Sequence, residues 1–202
     1  DEARASAVPL RMATFAMELA KQLPDDAMIF DESLTHFPEL LRWVVPKAPG
    51  SFFQSPGGTL GVAIPGAVGV KLAHPHRTVV GLTGDGGAMY TYQALWTAVH
   101  MGVGAKFVVC NNTSYRLLKF NLVDYWRERG LSPNEYPAEF PPPFDVAEPP
   151  VDFVTLARGL GVPGVRVETP DQIGPAIARM LAGDGPFLID LILEREVPRG
   201  TA

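Results

Sequence analysis

One cysteine in 202 residues leaves no internal disulfide to hold the fold together. Cys110 ends an apolar run, Phe107-Val108-Val109-Cys110, which fits an inert thiol inside a core. Long apolar runs are missing too, so no segment is suited to crossing a bilayer. The first residues lack the basic-then-apolar order of a signal peptide, and a cytoplasmic location is the expectation. Positive charge is scarce. Seventeen lysines and arginines against 22 aspartates and glutamates give a net charge of −5. That balance argues against nucleic acid or a membrane surface as partner. The first strand–helix turn carries no G-x-G-x-x-G and no Walker loop is present, which weighs against a generic nucleotide-binding fold. No internal repeat is visible.

What remains is a globular composition, 47% hydrophobic and 19% charged. A chain of this length buries about 70% of the surface it exposes when unfolded, enough for one sizeable core. Short apolar runs alternate with helical patterns. Strands are expected over 27–30, 51–54, 78–82, 106–110, 164–167 and 187–193, where apolar and β-branched residues cluster between turn signals. Val8, Phe15, Leu19 and Leu23 form a helical stripe that stops at Pro24. Further helices are expected over 37–44, 61–73, 89–100, from Tyr115 to about 129, 151–161 and 170–182. This order predicts a doubly wound α/β fold with about six parallel strands and helices on both faces. Residues 1–6 read as a linker or disordered lead, and 7–202 as one domain. Residues 131–150 hold Pro133, Pro137, Pro141, Pro142, Pro143, Pro149 and Pro150, which excludes a regular helix or a central strand. So long a connection is often a lid or an interface arm, here with Phe140 and Phe144 as candidate anchors.

The chemistry gathers at strand ends. Gly84-Asp85-Gly86-Gly87 follows the 78–82 strand and opens a helix, and Asn111-Asn112 follows the next strand. Ligands of open parallel sheets bind at such ends. Two glycines at a helix start suit a phosphate, and Asp85 beside that phosphate would repel it unless a divalent cation stood between them. Mg²⁺ takes one or two protein oxygens and completes its shell with phosphate oxygens and water. Asp85 and Asn112 are the natural donors. Either dipeptide alone is also an ordinary turn. The pair together, each directly after a buried strand, favours the metal reading. His36 is a candidate for the pocket rim.

The G-D-G…N-N pattern resembles the fingerprint of the thiamin-diphosphate-dependent 2-oxo-acid decarboxylase and acetolactate synthase superfamily. Pro49-Gly50-Ser51-Phe52-Phe53, Gly57-Gly58-Thr59-Leu60-Gly61, Ile64-Pro65-Gly66-Ala67-Val68-Gly69 and Ala94-Leu95-Trp96-Thr97-Ala98 are most similar to benzoylformate decarboxylases. The likeness runs from about residue 7 to 194 and covers the diphosphate-binding domain, the last third of such an enzyme. It implies thiamin diphosphate with Mg²⁺ (or Ca²⁺), held by Asp85, Asn112 and the backbone carbonyl of Ser114. It implies cofactor contacts from Thr35, Gly58, Thr59, Leu60, Gly84, Asp85, Gly86, Gly87, Asn112, Ser114 and Tyr115. Leu60 stands where the family places the wedge that bends the cofactor into a V. Leu117, Leu118 and Asn121 fall on the substrate side, although core packing is an equal reading for the two leucines. Leu34 stands where these decarboxylases carry a threonine, so one phosphate contact is missing or made by backbone.

The implied activity is non-oxidative C–C cleavage of a small 2-oxo acid through an ylide and an enamine. The alternatives are a carboligase like acetolactate synthase and a non-catalytic cofactor-binding half-module. The family's activating glutamate lies in a pyrimidine-binding domain that this chain does not contain. Glu32, Glu39 and Glu135 are not in its context. The implied partner is that domain, from another subunit of a homo-oligomer (dimer or tetramer), and the chain alone is expected to be inactive.

Overall fold

In the computed structural model, residues 8–54 and 56–198 are described; the expected lead over 1–6 lies outside them. Six parallel strands form one sheet in the order β2-β1-β3-β4-β6-β5. They are β1 (Met28–Glu32), β2 (Phe52–Gln54), β3 (Val79–Gly84), β4 (Lys106–Asn111), β5 (Gly164–Val167) and β6 (Phe187–Ile192). The central strands are buried along nearly their whole length. That is why they read as continuous apolar runs rather than alternating ones.

Alternate residues of each strand serve two separate cores. Ile29, Val80, Leu82, Val108, Cys110, Ile189 and Leu191 join one face. Helices α1 (Met12–Gln22), α2 (Phe37–Trp43) and α8 (Pro170–Ala182) cover it. Met28, Val79, Phe107, Val109 and Leu188 join the other. There α3 (Ala63–Ala73), α4 (Asp85–Thr91), α5 (Ala94–His100) and α7 (Phe153–Gly159) pack. The assignment follows from handedness. Right-handed crossovers that move the chain toward β5 place their helices on one face, and those that move it back place them on the other. Helix α6 (Arg116–Glu128) packs mainly elsewhere. Its Val123 and Trp126 build a small third cluster with Tyr136 and Val197.

The expected architecture is present, with corrections at element ends. Val8 precedes α1 and is exposed, and Leu10 enters the core instead, bridging to Leu193. Strand β1 runs two residues further than expected, so Asp31 and Glu32 belong to it rather than to the loop. The helix expected over 89–100 begins at Asp85 and divides near Tyr92. There Leu95 and Trp96 donate to the carbonyls three residues back, Tyr92 and Gln93. This tightened turn lets the Tyr92 hydroxyl reach the Phe153 carbonyl of α7. The proline-rich connection carries only two short 3₁₀ turns, Pro133–Glu135 and Pro142–Phe144. Phe140 anchors it as expected, stacking on Trp126 with ring centroids 5.8 Å apart. Phe144 holds it through backbone, its carbonyl accepting from Tyr115 N–H at 3.0 Å. No helix among the described residues is long and apolar enough to cross a membrane.

Candidate cofactor and metal site

The chain leaves β1 outward to β2 and returns past it to β3, so β1 and β3 form the topological switch point. The crevice beyond their carboxyl ends is a cavity of about 380 Å³. Four strand ends contribute to it. Residues 33–36 follow β1, Gly58 and Leu60 follow β2, Gly84 ends β3 with 85–87 after it, and Asn112 with 114–118 follow β4. Of the residues expected to contact a cofactor, Thr35, Gly58, Leu60, Gly84, Asp85, Gly86, Gly87, Asn112, Ser114 and Tyr115 all line this cavity. Leu117 and Leu118 line it as well and are about two-fifths exposed, so they are not core residues. Thr59 and Asn121 are not among the lining residues. Asn121 sits on the solvent side of α6, and Thr59 is exposed in its loop.

Asp85 is nearly buried, and its Oδ1 accepts from Gly86 N–H at 2.8 Å. Its Oδ2 is buried with no hydrogen-bond partner. Burial pushes its pKa up to about 6, against the pull of the backbone N–H groups of Gly86 and of residues 112–114. A buried carboxylate oxygen without a donor is suited to a cation. Asn112 lines the same cavity, and the backbone N–H groups of 112–114 reach toward Asp85. Ser114 N–H donates to Asn112 Oδ1 at 3.0 Å and also helps hold the Asp85 charge. The Ser114 carbonyl accepts from Arg116 N–H at 2.7 Å, which leaves a second lone pair. No group of three or more His, Cys, Asp or Glu that could hold a metal exists among the described residues. The oxygens that could serve a cation here are one carboxylate, one amide and one carbonyl, all hard donors. These fit Mg²⁺ or Ca²⁺ completed by phosphate oxygens, and they do not fit zinc.

Two residues here hold backbone conformations that are costly for side chains. Leu34 and Thr113 both have φ of 52°. Such strain is of order 1–3 kcal/mol each and collects at binding sites. At Thr113 the surroundings enforce it. Its N–H donates to Asn111 Oδ1 at 3.2 Å, and its carbonyl accepts from Val146 N–H at 3.0 Å. The resulting turn brings the 112–114 backbone toward Asp85.

The glycines of the lining serve two purposes. Gly58 is left-handed, at φ 73°, and open on its Cβ side, so it leaves room for a ligand. Gly86 and Gly87 instead make room for protein. A Cβ at Gly86 would stand 2.7 Å from the Tyr115 ring, and one at Gly87 would stand 2.3 Å from Glu32 Oε1.

Glu32 is a residue whose role sequence reasoning missed. It is buried, and its carboxylate accepts from Gly61, Val62 and Ala63 N–H at 2.7, 2.7 and 2.8 Å. It therefore supplies the anion that the α3 amino terminus would otherwise seek. No local pattern announces it, because its partners lie about thirty positions downstream. His36 is also more than a rim residue. It is buried, and its Nε2 lies 3.2 Å from Asn112 Nδ2. Burial, then the nearby Arg116 guanidinium, presses its pKa down to about 4, so the ring is neutral at pH 7.

Behind the cavity, Asp190 is fully buried, with Oδ1 accepting from Asn111 Nδ2 at 2.9 Å and Oδ2 unpartnered. Burial raises its pKa to about 6, above the unfolded value. The folded state thus favours the protonated carboxyl. Its stabilising contribution is complete at low pH and is lost as pH rises through about 6. Asp190→Asn removes that loss and keeps an acceptor for Asn111. The variant is expected to be more stable than the wild type at pH 7.5 by on the order of 1–2 kcal/mol, and nearly equal to it at pH 4. Thermal unfolding at both pH values measures this. An equal offset at both values would show that the effect is packing.

Residues 39–191 match the family described as thiamine pyrophosphate enzyme, C-terminal TPP binding domain. Benzoylformate decarboxylase of Pseudomonas aeruginosa is 34% identical over 183 residues, covering 91% of this chain and 32% of that protein. The acetolactate synthase isozyme 2 large subunit of Escherichia coli is 30% identical over 187 residues, covering 90% of this chain and 32% of that one. Among solved structures, the thiamine diphosphate-dependent 4-hydroxybenzoylformate decarboxylase of Rhodococcus jostii RHA1 superposes with a TM-score of 0.80 at 31% identity. That match covers 93% of this chain and 33% of the other. The chain spans about a third of the length of the curated relatives it matches.

Proposed function

The chain belongs to the thiamine pyrophosphate enzymes, as their C-terminal cofactor-binding domain, and we propose that it serves a 2-oxo-acid decarboxylase of the benzoylformate decarboxylase kind. The observation that carries this reading is the buried, unpartnered Asp85 Oδ2, set beside the Asn112 amide in a cavity at the switch point. In this reading Asp85, Asn112 and the Ser114 carbonyl would hold Mg²⁺, whose charge would offset the repulsion between the Asp85 carboxylate and a diphosphate. Thiamin diphosphate, when bound, supplies the electron sink for carbanion chemistry that no side chain offers.

The chain's own residues then bind and orient. Gly58 lets backbone approach the flat ring closely. Leu60 is about one-third exposed toward the cavity, and it supports the bend of the cofactor. Tyr115 and the start of α6 line the cavity where they would cover a bound diphosphate. Leu117 and Leu118 give the substrate side an apolar wall that keeps water from the reacting carbon. Substrates are small 2-oxo acids, and the pyrimidine-binding domain comes from the rest of the enzyme, in a neighbouring subunit of a homodimer or homotetramer.

Isothermal titration of this chain with thiamin diphosphate, with and without Mg²⁺, tests the site. Metal-dependent heat is expected, and metal-independent binding would remove the Asp85 assignment. Substrate profiling of the enzyme that contains the chain separates decarboxylation from carboligation as in acetolactate synthases. Leu60→Ala tests the wedge. Diphosphate affinity is expected to change less than about threefold while turnover of the containing enzyme falls at least about tenfold, since orientation is what is lost. Normal turnover would leave Leu60 as a simple wall residue.

A further inference from the structure

What Asn112 can do depends on which way its amide faces. An oxygen turned toward Asp85 adds a hard donor for a cation, whereas a nitrogen turned there adds two N–H groups that repel it. Two neighbours bear on the choice. Ser114 N–H donates to Asn112 Oδ1 at 3.0 Å. On the other side, Asn112 Nδ2 lies 3.2 Å from Nε2 of His36, a residue on the turn after β1 and only 4% exposed. An amide nitrogen only donates, so this contact is a hydrogen bond only if Nε2 is the bare, accepting nitrogen and the ring proton sits on Nδ1. Turning the amide over would set Nδ2 against the Ser114 N–H and Oδ1 against the Nε2 lone pair. Both contacts would then repel.

We propose that His36 is a positioning residue for Asn112: its bare Nε2 holds the amide so that oxygen, not nitrogen, is presented to a divalent cation beside Asp85. A histidine that merely filled space would leave one face of the amide without a partner. The inference rests on the cofactor-site reading above, and it adds a residue from the turn after β1 to oxygens that follow β3 and β4.

The tautomer is read directly by long-range nitrogen-15 correlation spectra of this chain without cofactor. An Nδ1–H ring with an accepting Nε2 is expected, and an Nε2–H ring would overturn the proposal. Calorimetric Mg²⁺ titration at fixed thiamin diphosphate is the second measurement. His36→Leu is expected to raise the Mg²⁺ concentration for half saturation about tenfold or more, the range for losing an outer-shell partner of a metal ligand, while His36→Gln, which offers an amide oxygen instead, is expected to stay well below that tenfold change. Wild-type Mg²⁺ dependence in a folded His36→Leu chain would overturn the proposal. If the wild-type chain takes up no cofactor with Mg²⁺, the cofactor reading fails separately, and the spectrum still decides whether His36 orients Asn112. The spectrum needs no variant, so a His36→Leu chain that does not fold leaves the decision with it.

Discussion

Asp85→Ala abolishes metal-dependent binding of thiamin diphosphate, with the apparent affinity in Mg²⁺ falling by about 100-fold or more. The magnitude follows from the donor set. Only one carboxylate stands in the lining near Asn112 and Ser114, so its removal leaves a cation with an amide and a carbonyl. Neither neutral group offsets the repulsion of two phosphates entering an apolar crevice. The fold should tolerate the change. Asp85 Oδ2 has no partner to lose, and its raised pKa marks burial as a cost to the charged form. Calorimetry with and without Mg²⁺, alongside a melting curve, measures both effects. Retained Mg²⁺ dependence would sink the metal assignment, and a collapsed melting temperature would recast Asp85 as structural.

Glu32→Ala has the largest expected effect on stability. One carboxylate with 1% exposure accepts three backbone N–H groups at the start of α3. Its loss strands those donors away from water and uncaps the helix. Breaking a buried charged hydrogen-bond set of this type costs about 3–5 kcal/mol. Urea unfolding is the measurement, and a loss below about 1 kcal/mol would mean that water replaces the carboxylate. Glu39 offers a contrast within the same molecule. It pairs with Arg11 at 2.8 Å, but about a third of each side chain is exposed. Solvent screens such pairs, and they are worth little.

The parts legible in the sequence were those encoded locally. Strand β5 and helix α8 fall where the apolar pattern puts them. At the start of α8, Thr169 and Gln172 form a capping box, a signal contained within four residues. The switch-point cavity was also legible, because Asp85 and Asn112 each follow directly on a buried strand. The missed features depend on residues far apart in sequence. Glu32 looked like part of a loop because nothing near it shows that β1 runs on to meet the α3 backbone. The break at Tyr92 has no local signal, and the partner its hydroxyl meets there, the Phe153 carbonyl, is 61 positions away. Gly86 and Gly87 were read as room for a ligand, and the side chains that fill that room come from other elements.

That last feature ties the variation of distant positions together. The space next to Gly86 belongs to Tyr115, and the space next to Gly87 belongs to Glu32. A lineage that acquires alanine at 86 must first trade the tyrosine at 115 for something smaller. One that acquires alanine at 87 must find another way to seat the start of α3. Each glycine is thus coupled to a residue of another element, and a Cβ added at either starts from a clash that its partner side chain must relieve.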